Sequence, residues 1–262
     1  MRVGLIQFAV KFGDKEKNFS KVDELITGHS AEIWVLPELF NTGYLFTSQA
    51  ELQTLAEAVP GGETCQFLQE LARKMNTTLV AGIAERADSC YYNSAVVINS
   101  DGLVGTYRKI HLFDREKYFF AAGDRPFQVW PIGQAKIGVM ICFDWIFPEA
   151  SRTLAKLGAD IICHPSNLVL PYCQNAMVTR CLENRVFAIT ANRIGTEKRG
   201  GEKLSFTGAS QITAYNGEIL HRCDRDNEQL VVIEIDPILA RNKTITQNNN
   251  IFDDFRPEFY LI

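Results

Sequence analysis

Three side chains, Glu38, Lys109 and Cys142, stand where chemistry could be done, because each follows a stretch that reads as a strand. Cys142 is the most suggestive. The run from Ala135 reads as a buried strand ending at Cys142, and a helix follows it. Pro148 suits a first helical position and Glu149 the positive end of the helix dipole. Ala150, Leu154 and Leu157 then repeat at helical spacing, and Gly158 stops the helix. A cysteine at such a turn can serve as a nucleophile: the turn exposes sulfur, backbone N–H groups can receive an oxyanion, and the helix N-terminus favours thiolate over thiol. Taken singly, each residue also has a plainer reading. Free cysteine is usually a buried small hydrophobe, Glu38 reads as a solvated loop carboxylate, and Lys109, between Arg108 and His111, as part of a basic surface loop.

The elements that must position them follow from periodicity. Val3 to Ala9 reads as a strand, and Asp14 to Gly28 as a helix with Phe19, Val22, Leu25 and Ile26 on one face. Ile33-Trp34-Val35-Leu36 is short enough for a buried parallel strand and ends at Pro37-Glu38. A weak helical pattern covers Glu51 to Ala58 and a strong one starts at Thr64, with Leu68, Leu71, Ala72 and Met75 inward. Leu79 to Glu85, Tyr92 to Ile98 and Leu103 to Tyr107 read as strands, and the stretch from Arg108 to Pro126 as a loop. After the central unit come a strand at Asp160 to Pro165, a helix at Met177 to Asn184 and a strand at Val186 to Ala191. A polar loop at Gly195 to Lys203, a hairpin of Phe206 to Tyr215 with Glu218 to Arg222, and a last strand at Gln229 to Ile235 complete the pattern. Strands alternating with helices, interrupted by hairpins, imply α/β or α+β layers with mixed sheets.

Composition narrows the function. The 262 residues are 46% hydrophobic, enough for a full core, and no linker divides them, so one domain over 1–262 is expected. A net charge of −4 with dispersed Lys and Arg gives no electrostatic case for nucleic acid or anionic membrane. No apolar stretch approaches the roughly 18 to 20 residues of a membrane span, and Met1 leads into a strand without a signal-peptide pattern, so a cytoplasmic protein with a small-molecule substrate is expected. Seven cysteines without a CxxC pair suit free thiols, and Cys163-His164 with Cys173 and Cys181 fits no zinc spacing, so no metal is expected. The tail from 243 to 262, polar and then aromatic, is expected to pack on a partner subunit.

The three sites together resemble the nitrilase, or carbon–nitrogen hydrolase, superfamily. The resemblance rests on Leu36-Pro37-Glu38-Leu39-Phe40 with Thr42-Gly43-Tyr44, on Tyr107-Arg108-Lys109-Ile110-His111-Leu112, and on Ile141-Cys142-Phe143-Asp144-Trp145 with Phe147-Pro148-Glu149. Ala240-Arg241-Asn242-Lys243 extends it almost to the end. It implies a four-layer αββα sandwich with two mixed sheets, subunits that pair into αββααββα dimers or higher homo-oligomers, and cofactor-free chemistry. It also implies Glu38 as general base, Lys109 as stabiliser of the anionic intermediate and Cys142 as nucleophile. A second glutamate often follows the lysine in the family; Glu116 fits, with Asp114 and Glu149 as competitors. Tyr44, Trp145 and Asn167 match positions near the pocket in relatives, and the Phe143 N–H is a candidate oxyanion donor.

A thiolate attacking an amide carbon needs a base, since an unassisted thiol with a pKa of about 8.5 is scarcely ionised at neutral pH. The expected reaction is hydrolysis of a small amide or carbamoyl compound through a thioester. Cys142-Phe143-Asp144, where strict nitrilases commonly have Cys-Trp-Glu, favours amides. A similar motif with the Ala-Arg-Asn-Lys tail also occurs in a compact group labelled nitrilases, so nitriles are the alternative. A non-catalytic binding role is the reading from another class, and cysteine–histidine chemistry through His164 or His111 is a third.

Overall fold

Strand and helix periodicities sort the side chains into layers. The computed structural model describes residues 1–260. Its order is β1 (Arg2–Gln7), α1 (Lys15–Ile26), β2 (Ile33–Val35), α2 (Gln49–Leu55), α3 (Glu63–Met75), β3 (Thr78–Ala87), β4 (Cys90–Asn99), β5 (Gly102–Arg108) and α4 (Glu116–Phe119). There follow β6 (Val129–Ile132), β7 (Ala135–Val139), a 3₁₀ turn at Cys142–Ile146, α5 (Pro148–Lys156), β8 (Ile161–Pro165), α6 (Cys173–Asn184) and β9 (Phe187–Ala191). The chain ends through β10 (Thr196–Arg199), β11 (Glu202–Ser205), β12 (Gln211–Thr213), β13 (Ile219–Arg222), β14 (Gln229–Glu234), β15 (Thr244–Thr246) and β16 (Asn249–Asn250).

Two six-stranded mixed sheets result, ordered β14-β1-β2-β3-β4-β5 and β13-β12-β9-β8-β7-β6. At the centre of the first, β1, β2 and β3 are parallel; in the second, β7, β8 and β9 are. Val3, Leu5, Ile33, Val35 and Val80 point inward and share a core with Ile137, Val139, Ile161 and Ile189 of the second sheet. Their alternating neighbours Ile6, Trp34, Leu36, Leu79 and Ala81 point outward onto Val22 and Ile26 of α1 and Leu68 and Leu71 of α3. Leu154 of α5 and Met177 and Cys181 of α6 cover the second sheet's other face. This is the four-layer αββα sandwich. A one-residue slip in β1 or β2 would exchange the two cores, so the register is firmly set.

Several sequence expectations change. The stretch Gly195 to Lys203 is not an irregular loop, because β10 and β11 pair as a hairpin. The loop after Arg108 contains the single turn α4, and β6 was not foreseen. The strand expected from Phe206 shrinks to β12, since Gly208 and Ala209 take φ +54 and +51 just before it. The central strand ends at Val139 instead of Cys142, and Cys142 opens an unforeseen 3₁₀ turn ahead of α5, which starts at Pro148 as expected. Within its own chain the tail touches α5 and α6, contacts compatible with the expected packing on a partner subunit: Lys156 of α5 sits 3.7 Å from the Phe255 ring centre, and Lys243 donates to the Asn184 and Arg185 carbonyls at the end of α6. Leu261 and Ile262 lie outside the described residues. All seven cysteines are free. Among the described residues no helix is long and apolar enough to cross a membrane.

The turn after β2 lies directly on β3. The Gly82 N–H donates to the Pro37 carbonyl (3.2 Å) and the Phe40 N–H to the Gly82 carbonyl (3.0 Å). A Cβ on Gly82 would lie 2.4 Å from the Glu38 Cα, so only glycine lets the backbones meet. Gly82→Ala is therefore expected to lower stability by about 1–3 kcal/mol, read as a lower thermal midpoint. Gly61→Ala, whose Cβ meets nothing within 4 Å, should leave the midpoint nearly unchanged.

Candidate active site

Glu38, Lys109 and Glu116 converge in a buried ion cluster at the ends of β2 and β5. Glu38 Oε1 accepts from Lys109 Nζ and from Asn93 Nδ2, both at 2.7 Å, while its Oε2, equally buried, has no partner. Lys109 Nζ donates also to Glu116 Oε1 at 2.7 Å. An ammonium carries three N–H donors, so these two bonds leave one for another acceptor. Glu116 is held in turn by the Tyr44 hydroxyl at 2.7 Å and the Phe113 N–H at 3.2 Å. Of the competing acids Asp114 and Glu149 are exposed, and Glu116 alone of the three pairs with the lysine.

The lysine reading as a surface loop fails. Arg108 and Lys109 are both buried, Arg108 against Glu85 and Asp124. Burial by itself would drive Lys109 towards the neutral amine, but the charges of Glu116 and Glu38 outweigh it and raise its pKa, so the ammonium persists. Burial, with the repulsion of Glu38 added, lifts Glu116 above the ordinary carboxylate range in spite of Lys109. Burial and the neighbouring Glu116 likewise keep Tyr44 a neutral phenol, hence a donor.

Cys142 feels the same charges. Burial first, then Glu38, push its pKa well up, against the pull of Lys109 and the Asn167 N–H that points at the sulfur. The resting group is thus a thiol, the state that needs a neighbouring base, and the pull of a helix N-terminus towards thiolate is outweighed. Its φ of +41 is a left-handed conformation that costs a non-glycine residue about 1–3 kcal/mol, so neighbours must enforce it. Asp144 does much of this: Oδ2 accepts from the Ile141 N–H and the Tyr107 hydroxyl, both at 2.8 Å, and Oδ1 from the His111 N–H at 3.2 Å, with His111 Nδ1 at 2.7 Å. One buried carboxylate thereby ties the residue before Cys142 to residues two before and two after Lys109.

His164 Nε2 lies 2.9 Å from the Cys142 carbonyl and Nδ1 3.1 Å from Thr190 Oγ1, so the ring braces the backbone and does not serve the sulfur. Asn167 Nδ2 donates to the Glu38 carbonyl at 2.9 Å, joining the Glu38 turn to the loop beside Cys142. Trp145 and Phe143 line the cavity over Cys142; Trp145 is also part of the core. Tyr44 reaches the site through Glu116. Sequence reasoning passed over Asn93, Phe113, Asp144 and Glu197. Asn93 and Ser94 were legible as polar residues inside an apolar strand. Glu197, whose carboxylate receives the Tyr44 and Leu45 N–H groups and Arg193, sat in a stretch taken for loop.

The sandwich with these strand-end residues defines a class, and the comparisons agree. The family model described as carbon-nitrogen hydrolase matches residues 2–242, and the chain belongs to that family. It is 48% identical over 264 residues to a nitrilase of Pyrococcus abyssi, covering 100% of this chain and 99% of that protein. It is 32% identical to an (R)-stereoselective amidase of Pseudomonas sp, covering 93% and 88%. A solved carbon-nitrogen hydrolase from Helicobacter pylori G27 superposes with a TM-score of 0.88 at 27% identity, covering 99% of this chain and 96% of that one. The chain is accordingly an enzyme of the amidase or nitrilase type.

Burial lowers the His164 pKa to about 4 from 6.5. The unfolded state binds a proton there that the native state refuses, so this residue's contribution to stability falls as pH drops from 6.5 towards 4 and levels off below. An NMR titration of the His164 ring is expected to show a midpoint near 4; a midpoint near 6.5 would mean that the ring is not buried as described.

Proposed function

We propose that the enzyme hydrolyses the C–N bond of a small amide or carbamoyl compound through a thioester on Cys142. The observation that carries this reading is the buried, unpartnered Glu38 Oε2 in a cluster whose charges the neutral Cys142 thiol feels. As sulfur adds to the carbonyl carbon, its proton passes to Glu38. The oxyanion that forms is received by the remaining Lys109 N–H and the Phe143 N–H. Glu38 then returns the proton to the departing ammonia or amine, leaving the thioester. Water next gives a proton to Glu38 and its oxygen to the carbonyl; the acid departs and the thiol is restored. Glu116 holds Lys109 in place throughout.

A second reading, nitrile hydrolysis, is supported by the 48% identity to a protein named nitrilase. The first adduct would then be a thioimidate, with water adding before ammonia leaves. Exposed Ile146 on the 3₁₀ turn, Leu157 just after α5 and Leu182 on α6 support a homodimer in which the tail contributes. Free cysteines suit a reducing compartment, and we place the enzyme in the cytoplasm.

An ammonia-release screen across amides, carbamoyl amines and nitriles separates the readings, with mass spectrometry for the adduct. Cys142→Ala should abolish turnover in a folded protein, and Glu38→Gln should reduce it by about 10²–10⁴-fold. Undiminished turnover by Cys142→Ala would refute the mechanism.

A further inference from the structure

The cavity over Cys142 is small and apolar. Phe113, Phe143, Trp145, Leu168 and Leu170 form its walls, Asn167 shares its lining with the sulfur, and no Asp, Glu, Lys or Arg lines it. Its volume of about 20 Å³ is close to that of a single water-sized group. Behind Phe113 lies a second cavity of about 40 Å³, walled by Tyr44, Phe46, Phe119 and Leu204. Of the charged residues that line it, Arg115 pairs with Glu202 and Glu116 with Lys109, while Asp114 is exposed. Phe113 is the one residue that lines both spaces. It is held there from two sides: its N–H donates to Glu116 Oε2, and its ring lies 5.0 Å from that of Phe143, tilted by 60°.

We infer that the enzyme selects substrates whose carbonyl or nitrile carbon carries a short, uncharged, apolar group, and that Phe113 sets the length limit by closing the pocket off from the cavity behind it. The inference rests on the hydrolase reading above and narrows it. A charged substituent entering this pocket would lose water and find no opposite charge among the lining side chains, the nearby Lys109 ammonium being already paired with Glu38 and Glu116. A longer apolar chain would collide with the Phe113 ring, although space of suitable character lies beyond it.

The test is kcat/KM for ammonia release from acetamide through hexanamide, the corresponding nitriles, and amides of matched length ending in an ammonium or a carboxylate. The wild type is expected to favour the short neutral compounds over charged ones of equal length by about tenfold or more. Phe113→Ala should raise the ratio of hexanamide to propanamide by about tenfold or more, and Phe113→Leu by less in the same direction. The leucine variant keeps the test decisive if the alanine variant does not fold. Equal turnover of charged and neutral compounds, or a length ratio unmoved by both variants, would overturn the inference while leaving the hydrolase reading intact. Absence of turnover and of any Cys142 adduct across the whole series and across carbamoyl amines as well would remove the hydrolase reading and this inference with it.

Discussion

One buried ammonium between two buried carboxylates governs the rest of this structure. Lys109, Glu38 and Glu116 are almost wholly withdrawn from water, and an isolated charge in such a place would neutralise itself instead of staying ionised. Their short mutual bonds, with those from Asn93 and Tyr44, offset that penalty. Removing one member of a buried ion pair typically costs about 3–5 kcal/mol, because the survivor is left uncompensated. The ends of β2 and β5 and the turn α4 must therefore meet, and the sandwich supplies the frame in which they do.

The same cluster decides the state of the sulfur. Low dielectric and two carboxylates oppose ionisation of Cys142 more than one lysine favours it, so in the proposed reaction proton removal would be coupled to attack on substrate. That arrangement needs sulfur and base at fixed separation. The structure secures this through a left-handed turn at Cys142, through Asp144 linking the cysteine turn to the lysine segment, through His164 on the Cys142 carbonyl, and through Asn167 on the Glu38 carbonyl.

Much of this was legible in the sequence for a physical reason. Glu38, Lys109 and Cys142 follow stretches that read as strands, and a buried strand must end where a polar group can be satisfied or used. The unbroken apolar run Ile33-Trp34-Val35-Leu36 likewise marked β2 as a buried strand. What escaped depended on distant partners. Nothing local marks Asp144 as a clamp, since its acceptors serve Tyr107 and His111 over thirty residues away in the chain. The β10–β11 hairpin looked like a loop because its strands are short and polar, and its Glu197 acquires meaning only against the backbone of Tyr44 and Leu45. The pull of the helix dipole towards thiolate is outweighed because the α-helix starts at Pro148, where the sequence placed it, while burial and the charges of Glu38 and Glu116 act on the sulfur.

The central claim is that the free enzyme holds Cys142 as a thiol and surrenders its proton only in the reaction. Its most direct test is the ultraviolet thiolate absorbance of the wild type minus that of Cys142→Ala, followed from neutral pH upward. The account predicts no Cys142 thiolate below pH 9, the ordinary thiol value; a thiolate already present at neutral pH would contradict it.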